Sequence, residues 1–286
     1  MSNPSPLRYP GGKYKTYDYI KNLVLKNGST TYIEPFAGGA AVAFKLVMDG
    51  VVKKIIINDF DRSIYALWYS VLNHTNELIE LIEKTPIDMK TWYRQKQIQD
   101  NKQNESLLSL GFSTLFLNRT NRSGIIKAGV IGGKNQSGTY KLDCRFTKPV
   151  LIKKIKEISK LKKQILIYNM DAVLFINTVI KKTRNSFTFF DPPYYLKGPG
   201  LYTNFYKKQD HLMLAETIQT NMKYRKWIVT YDACIEIKEM YKNLFCQTFF
   251  LNYSAQNKRQ GIEYMFFSNN TVIPNDHEYY LKLSNE

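Results

Sequence analysis

The segment Ser186-Phe187-Thr188-Phe189-Phe190-Asp191-Pro192-Pro193-Tyr194-Tyr195 constrains this chain more than any other stretch. Its first five residues alternate aromatic with hydroxyl side chains and read as a short buried strand. Asp191 then meets two prolines, which fix φ and carry no N–H. Each proline also holds the residue before it extended. The strand therefore ends in a stiff bracket at its carboxyl end, where open α/β sheets bind ligands. The bracket offers the Asp191 carboxylate, the carbonyl oxygens of the prolines and the Tyr194 ring. Acceptors beside a flat ring suit a planar, amine-bearing substrate, as enzymes acting on bases turned out of the stack require. Taken alone, a strand end followed by a Pro-Pro turn explains the segment as well.

The remaining sequence supplies a sheet for that bracket. Residues 30–33 form a strand that runs into Glu34-Pro35-Phe36-Ala37-Gly38-Gly39, a glycine loop, followed by a helix over 40–48. This strand–loop–helix unit binds the polar end of nucleotide-like cofactors. A second strand, 53–57, ends at Asn58-Asp59. Asp59 stands 20 residues beyond Gly39, a spacing that suits a carboxylate for ribose hydroxyls. Further strands are expected at 164–168, 226–230, 245–253 and 263–268. Helices are expected at 63–82, 106–117, 150–161, 173–180, 209–222 and 234–241. The last two strands leave no room for a helix between them and must pair antiparallel. The βα alternation elsewhere makes the rest of the sheet parallel, so the class is α/β with a Rossmann-like sheet.

That alternation is interrupted between the second strand and the strand at 164–168. A loop of such length without structure of its own would be unusual. The expected organisation is a core domain of residues 1–61 and 150–286, with a small, mainly helical insert over 62–149. The insert carries a basic, glycine-rich segment with Arg119, Asn121, Arg122 and Lys141 as candidate DNA contacts.

Charge supports a polyanionic partner. The formal net charge is +17, and residues 119–163 hold thirteen Lys/Arg against two Asp/Glu, a net +11. Codon bias towards lysine would spread the charge more evenly. A basic loop at 254–262 and a basic, tyrosine-rich loop at 197–208 add to it. Cys144, Cys234 and Cys246 lie far apart and form no Cys/His cluster, so neither a disulfide framework nor a metal site is expected. There is no apolar run of 18 residues, and the start is polar and turn-rich; a soluble, intracellular protein is expected. Near the start, Arg8-Tyr9-Pro10-Gly11-Gly12-Lys13 offers close backbone approach, an aromatic ring for an adenosyl group and an ammonium for a carboxylate.

Together these residues resemble the Dam-type (alpha-group) DNA adenine-N6 methyltransferases. The resemblance rests on Arg8 to Lys13, the Glu34 to Gly39 loop, Asn58-Asp59, Leu117-Asn118-Arg119, Asp171 and Asp191-Pro192-Pro193-Tyr194, in the expected order across most of the chain. It implies S-adenosylmethionine as methyl donor and double-stranded DNA as substrate. It implies no metal or membrane, and makes a cognate restriction endonuclease a candidate partner. A cytoplasmic, nucleoid-associated protein of bacterial or phage origin is expected. By position, Tyr9, Lys13, Glu34, Phe36, Asp59 and Asp191 resemble cofactor-binding residues, and Asp171 the one near the cofactor's adenine. The catalytic set implied is Asp191, Pro192, Pro193 and Tyr194. Two departures stand out. Gly38-Gly39-Ala40 replaces the FxGxG spacing, and residues 121–144 differ from members that read GATC.

The implied chemistry follows from the residues. Adenine's amine is a poor nucleophile because its lone pair is delocalised. Hydrogen bonds from N6–H to the Asp191 carboxylate and the Pro192 carbonyl would favour a pyramidal nitrogen and stabilise its developing charge. Tyr194 would stack on the base. The alternatives are an RNA adenine-N6 methyltransferase, a glutamine-amide methyltransferase and a non-enzymatic DNA-binding protein. Asp191 argues against the glutamine enzymes, which usually carry NPPY. A mere DNA binder leaves the acidic strand ends unexplained.

Overall fold

The computed structural model describes residues 3–196, 206–253 and 259–274. The expected basic loops fall partly outside them, at 197–205 and 254–258. Seven strands form one sheet: β1 (Thr31–Glu34), β2 (Lys54–Asn58), β3 (Ile165–Tyr168), β4 (Ser186–Phe190), β5 (Lys226–Asp232), β6 (Cys246–Tyr253) and β7 (Arg259–Phe267). Their order is β3-β2-β1-β4-β5-β7-β6. The first five are mutually parallel, and β7 runs antiparallel to both β5 and β6. The expected antiparallel pair is therefore present, with the later strand inserted next to β5.

Helices cover both faces. One face packs Tyr32, Ile55, Ile57, Phe187 and Phe189 beneath α1 (Tyr17–Lys26), α2 (Ala41–Met48), α3 (Arg62–Asn73), α4 (Thr75–Lys84) and α6 (Leu107–Thr120). Two more helices, α5 (Met89–Asp100) and α7 (Lys148–Ser159), join that layer through Trp92 and Leu151, Ile155 and Ile158. The opposite face packs Ile33, Ile56, Phe190 and Val229 against α8 (Ala172–Thr178), α9 (Lys208–Asn221) and α10 (Ile235–Met240). Within β4, the alternation of Phe187 and Phe189 with Phe190 fills both layers, as a doubly covered strand must.

Two expectations change. The single helix over 63–82 is two, broken at His74 (φ −130°, ψ 41°), where Asn73, His74 and Thr75 are all weak helix formers. Helix α1 was not expected, although Ile20, Leu23 and Val24 carry the helical spacing and are buried.

Helices α3 and α6 share apolar packing with the sheet. Helix α6 is buried on nearly every side. It lies so close to α3 that a Cβ on Gly111 would stand 2.6 Å from the Ala66 carbonyl oxygen. Leu67, Trp68, Phe112 and Leu115 belong to the same cluster as Tyr32 and Ile57. Whatever the helices over 62–120 hold is thereby fixed relative to the strand ends.

The strand order reverses between β1 and β4, since β1 continues to β2 on one side and β4 to β5 on the other. A crevice opens at such a switch point, beyond the carboxyl ends of the strands. The residues that end these two strands are Glu34 and, one step past β4, Asp191.

Candidate active site

The crevice is a cleft lined by Tyr9, Lys13, Glu34, Phe36, Asp59 and Asp191, together with Gly39, Pro193 and Tyr206. Five segments far apart in sequence supply these side chains. The N-terminal turn is closed by a hydrogen bond from the Gly12 N–H to the Tyr9 carbonyl at 3.1 Å, with Gly11 at φ +75°. Asn118 of α6 clamps the preceding residue. Its Oδ1 accepts from the Arg8 N–H at 2.8 Å, and its Nδ2 donates to the Arg8 carbonyl at 2.9 Å. The Leu-Asn-Arg triplet is thus a fastening between α6 and the turn that borders the cleft.

Tyr9 lies across the glycine loop. Gly38 has φ +44°, and a Cβ there would fall 2.5 Å from the Tyr9 ring. The loop's far end is unusual: Ala40 has φ +46°, a left-handed conformation in which an L-residue is strained by roughly 1–2 kcal/mol. This is the position where the resemblance leads one to expect the last glycine of FxGxG. Asp59 holds the loop from the next strand, its Oδ2 accepting from the Gly38 N–H at 2.8 Å and its Oδ1 from Asp61 N–H at 2.9 Å. Burial, with Asp61 close by, pushes the Asp59 carboxyl up to about 7. Glu34 is buried at 7% exposure. That burial, reinforced by the Asp191 charge, pushes its carboxyl up to about 8, against the Tyr32 hydroxyl and the Ala43 N–H. Glu34 is thus mostly protonated at neutral pH and can donate a hydrogen bond.

At the bracket, Asp191 Oδ1 accepts from Lys13 Nζ at 2.6 Å and from the Thr230 hydroxyl at 2.7 Å. Thr230 arrives from β5, one step beyond the Phe190–Val229 register pair. Among the described residues nothing donates to Asp191 Oδ2 or to the Pro192 carbonyl. The bracket's far end is held by Asp232, which accepts from the Tyr195 and Leu196 N–H groups at 2.8 and 3.0 Å.

Three sequence expectations look different in place. Lys13 Nζ donates to Asp191, Tyr194 and the Gly11 carbonyl, so its three protons are taken within the protein rather than held out for a cofactor carboxylate. The Tyr194 ring is 2% exposed and its hydroxyl donates to Glu263 at 2.5 Å, so a base can stack on it only after neighbouring groups shift. Asp171 is exposed and caps α8, accepting from the Val173 and Leu174 N–H groups; it is not among the residues lining the cleft. Glu263, Thr230 and Asp232 were not singled out from sequence. They lie on strands whose register alone brings them to the bracket.

The candidate DNA contacts divide. Asn121 must be corrected: it is fully buried, its Oδ1 accepts from Trp92 Nε1 at 2.7 Å, and its Nδ2 donates to the Ile126 carbonyl at 2.8 Å. Its amide is spent on folding the segment and reads no base. Arg122 and Lys141 are exposed. Arg119 is half-buried, and its Nε is buried without a partner. Burial, with Arg8 and Arg145 nearby, brings the Arg119 guanidinium down to about 10. Arg8 is lowered likewise by burial and by Arg145. Lys154 is lowered by burial and by Arg119. None of Arg8, Arg119, Arg145 and Lys154 has an acidic partner within 4.0 Å among the described residues. Among those residues there is also no cluster of three metal-ligating side chains, and no helix long and apolar enough to cross a membrane.

Known proteins are similar to this chain in sequence. The chain is 29% identical over 203 residues to the type II methyltransferase M.MjaIII of Methanocaldococcus jannaschii, covering 66% of this chain and 68% of that protein. It is 23% identical over 241 residues to the type II methyltransferase M.CviBI of Paramecium bursaria Chlorella virus NC1A, covering 82% and 85%. Residues 9–259 match the family described as D12 class N6 adenine-specific DNA methyltransferase. That match begins at Tyr9 on the glycine loop and runs through the bracket to the first residue of β7, and the chain belongs to the D12 class N6 adenine-specific DNA methyltransferases.

Proposed function

We propose that the cleft is where this adenine-specific DNA methyltransferase works, with S-adenosylmethionine as donor and the N6 amine of a flipped-out adenine as acceptor. The observation that carries this reading is the division of labour on Asp191. Its Oδ1 is fixed by Lys13 and Thr230, while Oδ2, on a residue lining the cleft, has no donor among the described residues. An N6–H can fill that vacancy, and the Pro192 carbonyl can take the second. Both acceptors stand rigidly before the substrate arrives, so they stabilise positive charge on nitrogen without reorganising. Asp191 Oδ2 would also take the proton that the amine loses.

The cleft suits the donor. The Gly38–Gly39 loop lets the Tyr9 ring lie flat against its backbone, and that ring lines the cleft, which supports a flat group stacking on it. Tyr9 and Phe36 would hold the adenosyl group, and Asp59 has lone pairs left for ribose hydroxyls. When bound, S-adenosylmethionine supplies a methyl group on a cationic sulfur. Lys13 keeps Asp191 oriented, and Glu34, protonated at neutral pH, can donate into the cleft.

Residues 62–149 act in this reading as the target-recognition insert on a domain of 1–61 and 150–286. Arg122 and Lys141 face solvent for DNA contact, and the unpaired cations Arg8, Arg119, Arg145 and Lys154 suit backbone phosphates of double-stranded DNA. A cognate restriction endonuclease would fit such an enzyme, acting in the cytoplasm of a bacterium or a phage-infected cell. The test is nucleoside mass spectrometry of unmethylated plasmid incubated with the protein and S-adenosylmethionine. N6-methyldeoxyadenosine is expected; N4-methyldeoxycytidine alone, or no modified nucleoside, refutes the reading.

A further inference from the structure

Glu263 is the most deeply buried acid near the bracket, with 0% exposure, and it lies outside the span matched by the family. It stands on β7, directly across the ladder from Asp232 of β5. The antiparallel strand inserted beside β5 is what brings it there. Its Oε1 accepts the Tyr194 hydroxyl at 2.5 Å, and its Oε2 lies 3.5 Å from Lys13 Nζ. Lys13 in turn donates to Tyr194 at 3.3 Å and to Asp191 Oδ1 at 2.6 Å. A directed chain therefore runs from the Lys13 ammonium through the Tyr194 hydroxyl to Glu263.

The geometry points to Glu263 as a positioning residue for methyl transfer, acting on Asp191 through Lys13 and Tyr194. Two physical effects follow from where it sits. The ammonium has a side chain only 4% exposed and is shared between two carboxylates. With Glu263 on its other side, Lys13 does not spend its whole charge on Asp191, which remains a good acceptor for N6–H. Without it, Lys13 is claimed by Asp191 alone, and the carboxylate becomes a poorer acceptor. The second effect is geometric. The Tyr194 hydroxyl is pinned at the far end of the bracket, so Asp191, Pro192 and Pro193 are held from both sides. This inference rests on the assignment of Asp191 as the amine acceptor.

The experiment compares Glu263→Gln and Glu263→Ala with the wild-type enzyme in steady-state transfer of tritiated methyl groups to plasmid DNA from a methylation-free host. Gln keeps an oxygen for Tyr194 and removes the charge beside Lys13; Ala removes both. The expected kcat losses are about tenfold for Gln and on the order of 10²-fold for Ala, with KM for both substrates within about threefold. Tyr194→Phe combined with Glu263→Ala should lose no more than the worse single variant, since both break one chain. Effects that multiply in the double variant overturn the inference. So does a Gln variant no better than Ala, or a Gln variant turning over at the wild-type rate; Gln is close enough in shape to fold if Ala is not. Wild-type enzyme that transfers no methyl group removes the Asp191 assignment itself, a different failure from active enzyme indifferent to Glu263.

Discussion

Replacing Asp191 separates its two roles. One oxygen is part of a buried pair with Lys13, whose side chain is 4% exposed against 25% for Asp191. The other is the proposed acceptor for substrate. Asp191→Ala removes both and leaves an ammonium short of a partner; breaking a buried pair this way costs up to about 3–5 kcal/mol. Here the cost falls below that range because Glu263 remains 3.5 Å from Lys13. Asp191→Asn is the cleaner change, since its carbonyl oxygen still accepts from Lys13 and Thr230. Its amide then presents N–H groups to the substrate amine, donor against donor. Loss of one preorganised electrostatic contact lowers kcat by about 10²–10³, or roughly 3–4 kcal/mol in the barrier. The assay is single-turnover methylation with pre-bound cofactor and DNA, alongside urea unfolding. The Asn variant is expected to be nearly as stable as wild type and at least about a hundredfold slower. A stable Asn variant with wild-type turnover would mean that Asp191 serves Lys13 alone.

Other consequences are more local. Glu34 titrates near 8 in the fold against an ordinary 4.5, so the folded state holds an extra proton between those values and stability must fall as pH rises through that window. The slope reaches up to about 1.4 kcal/mol per pH unit. Glu34→Gln should make it shallower in urea titrations at pH 5 to 9, leaving the share of Asp59, whose carboxyl is also raised, and parallel curves would contradict the burial argument. Ala40→Gly should raise stability by up to about 1 kcal/mol, because relief of left-handed strain exceeds the entropy gained by the unfolded chain; lower stability in calorimetry would show that the strain is absent. Arg122→Ala should cost roughly 1–3 kcal/mol and relax preference at one position of the site. Arg119→Ala should instead weaken binding across all sequences and reduce the salt slope by about one. Binding titrations at several salt concentrations on matched and mismatched duplexes distinguish the two patterns.

Sheet class, strand ends and bracket were legible because their signals are local. A strand stopped by Asp-Pro-Pro, a glycine loop after a strand and a carboxylate at the next strand end each lie within ten residues. What the chain leaves implicit is long-range. Glu263 looks like any polar residue in an alternating strand until the β5–β7 register sets it opposite Asp232. Asn121 looks like a DNA reader among Arg119 and Arg122, yet the Trp92 indole 29 residues away claims its carbonyl. Lys13 invited a ligand carboxylate because the distance to Asp191, 178 residues on, is invisible in the sequence. Helix α1 carried the right spacing but lay between two stronger motifs, and the break at His74 turned on three weak helix formers inside an otherwise continuous apolar stripe.

The most direct measurement is base-modification sequencing of DNA from a methylation-free host expressing the wild-type protein or Asp191→Asn. N6-methyladenine is expected at one adenine of a recurring short sequence with the wild-type protein, and is expected to be lost with the variant. Wild-type DNA without N6-methyladenine, or an equal pattern from the variant, would contradict it.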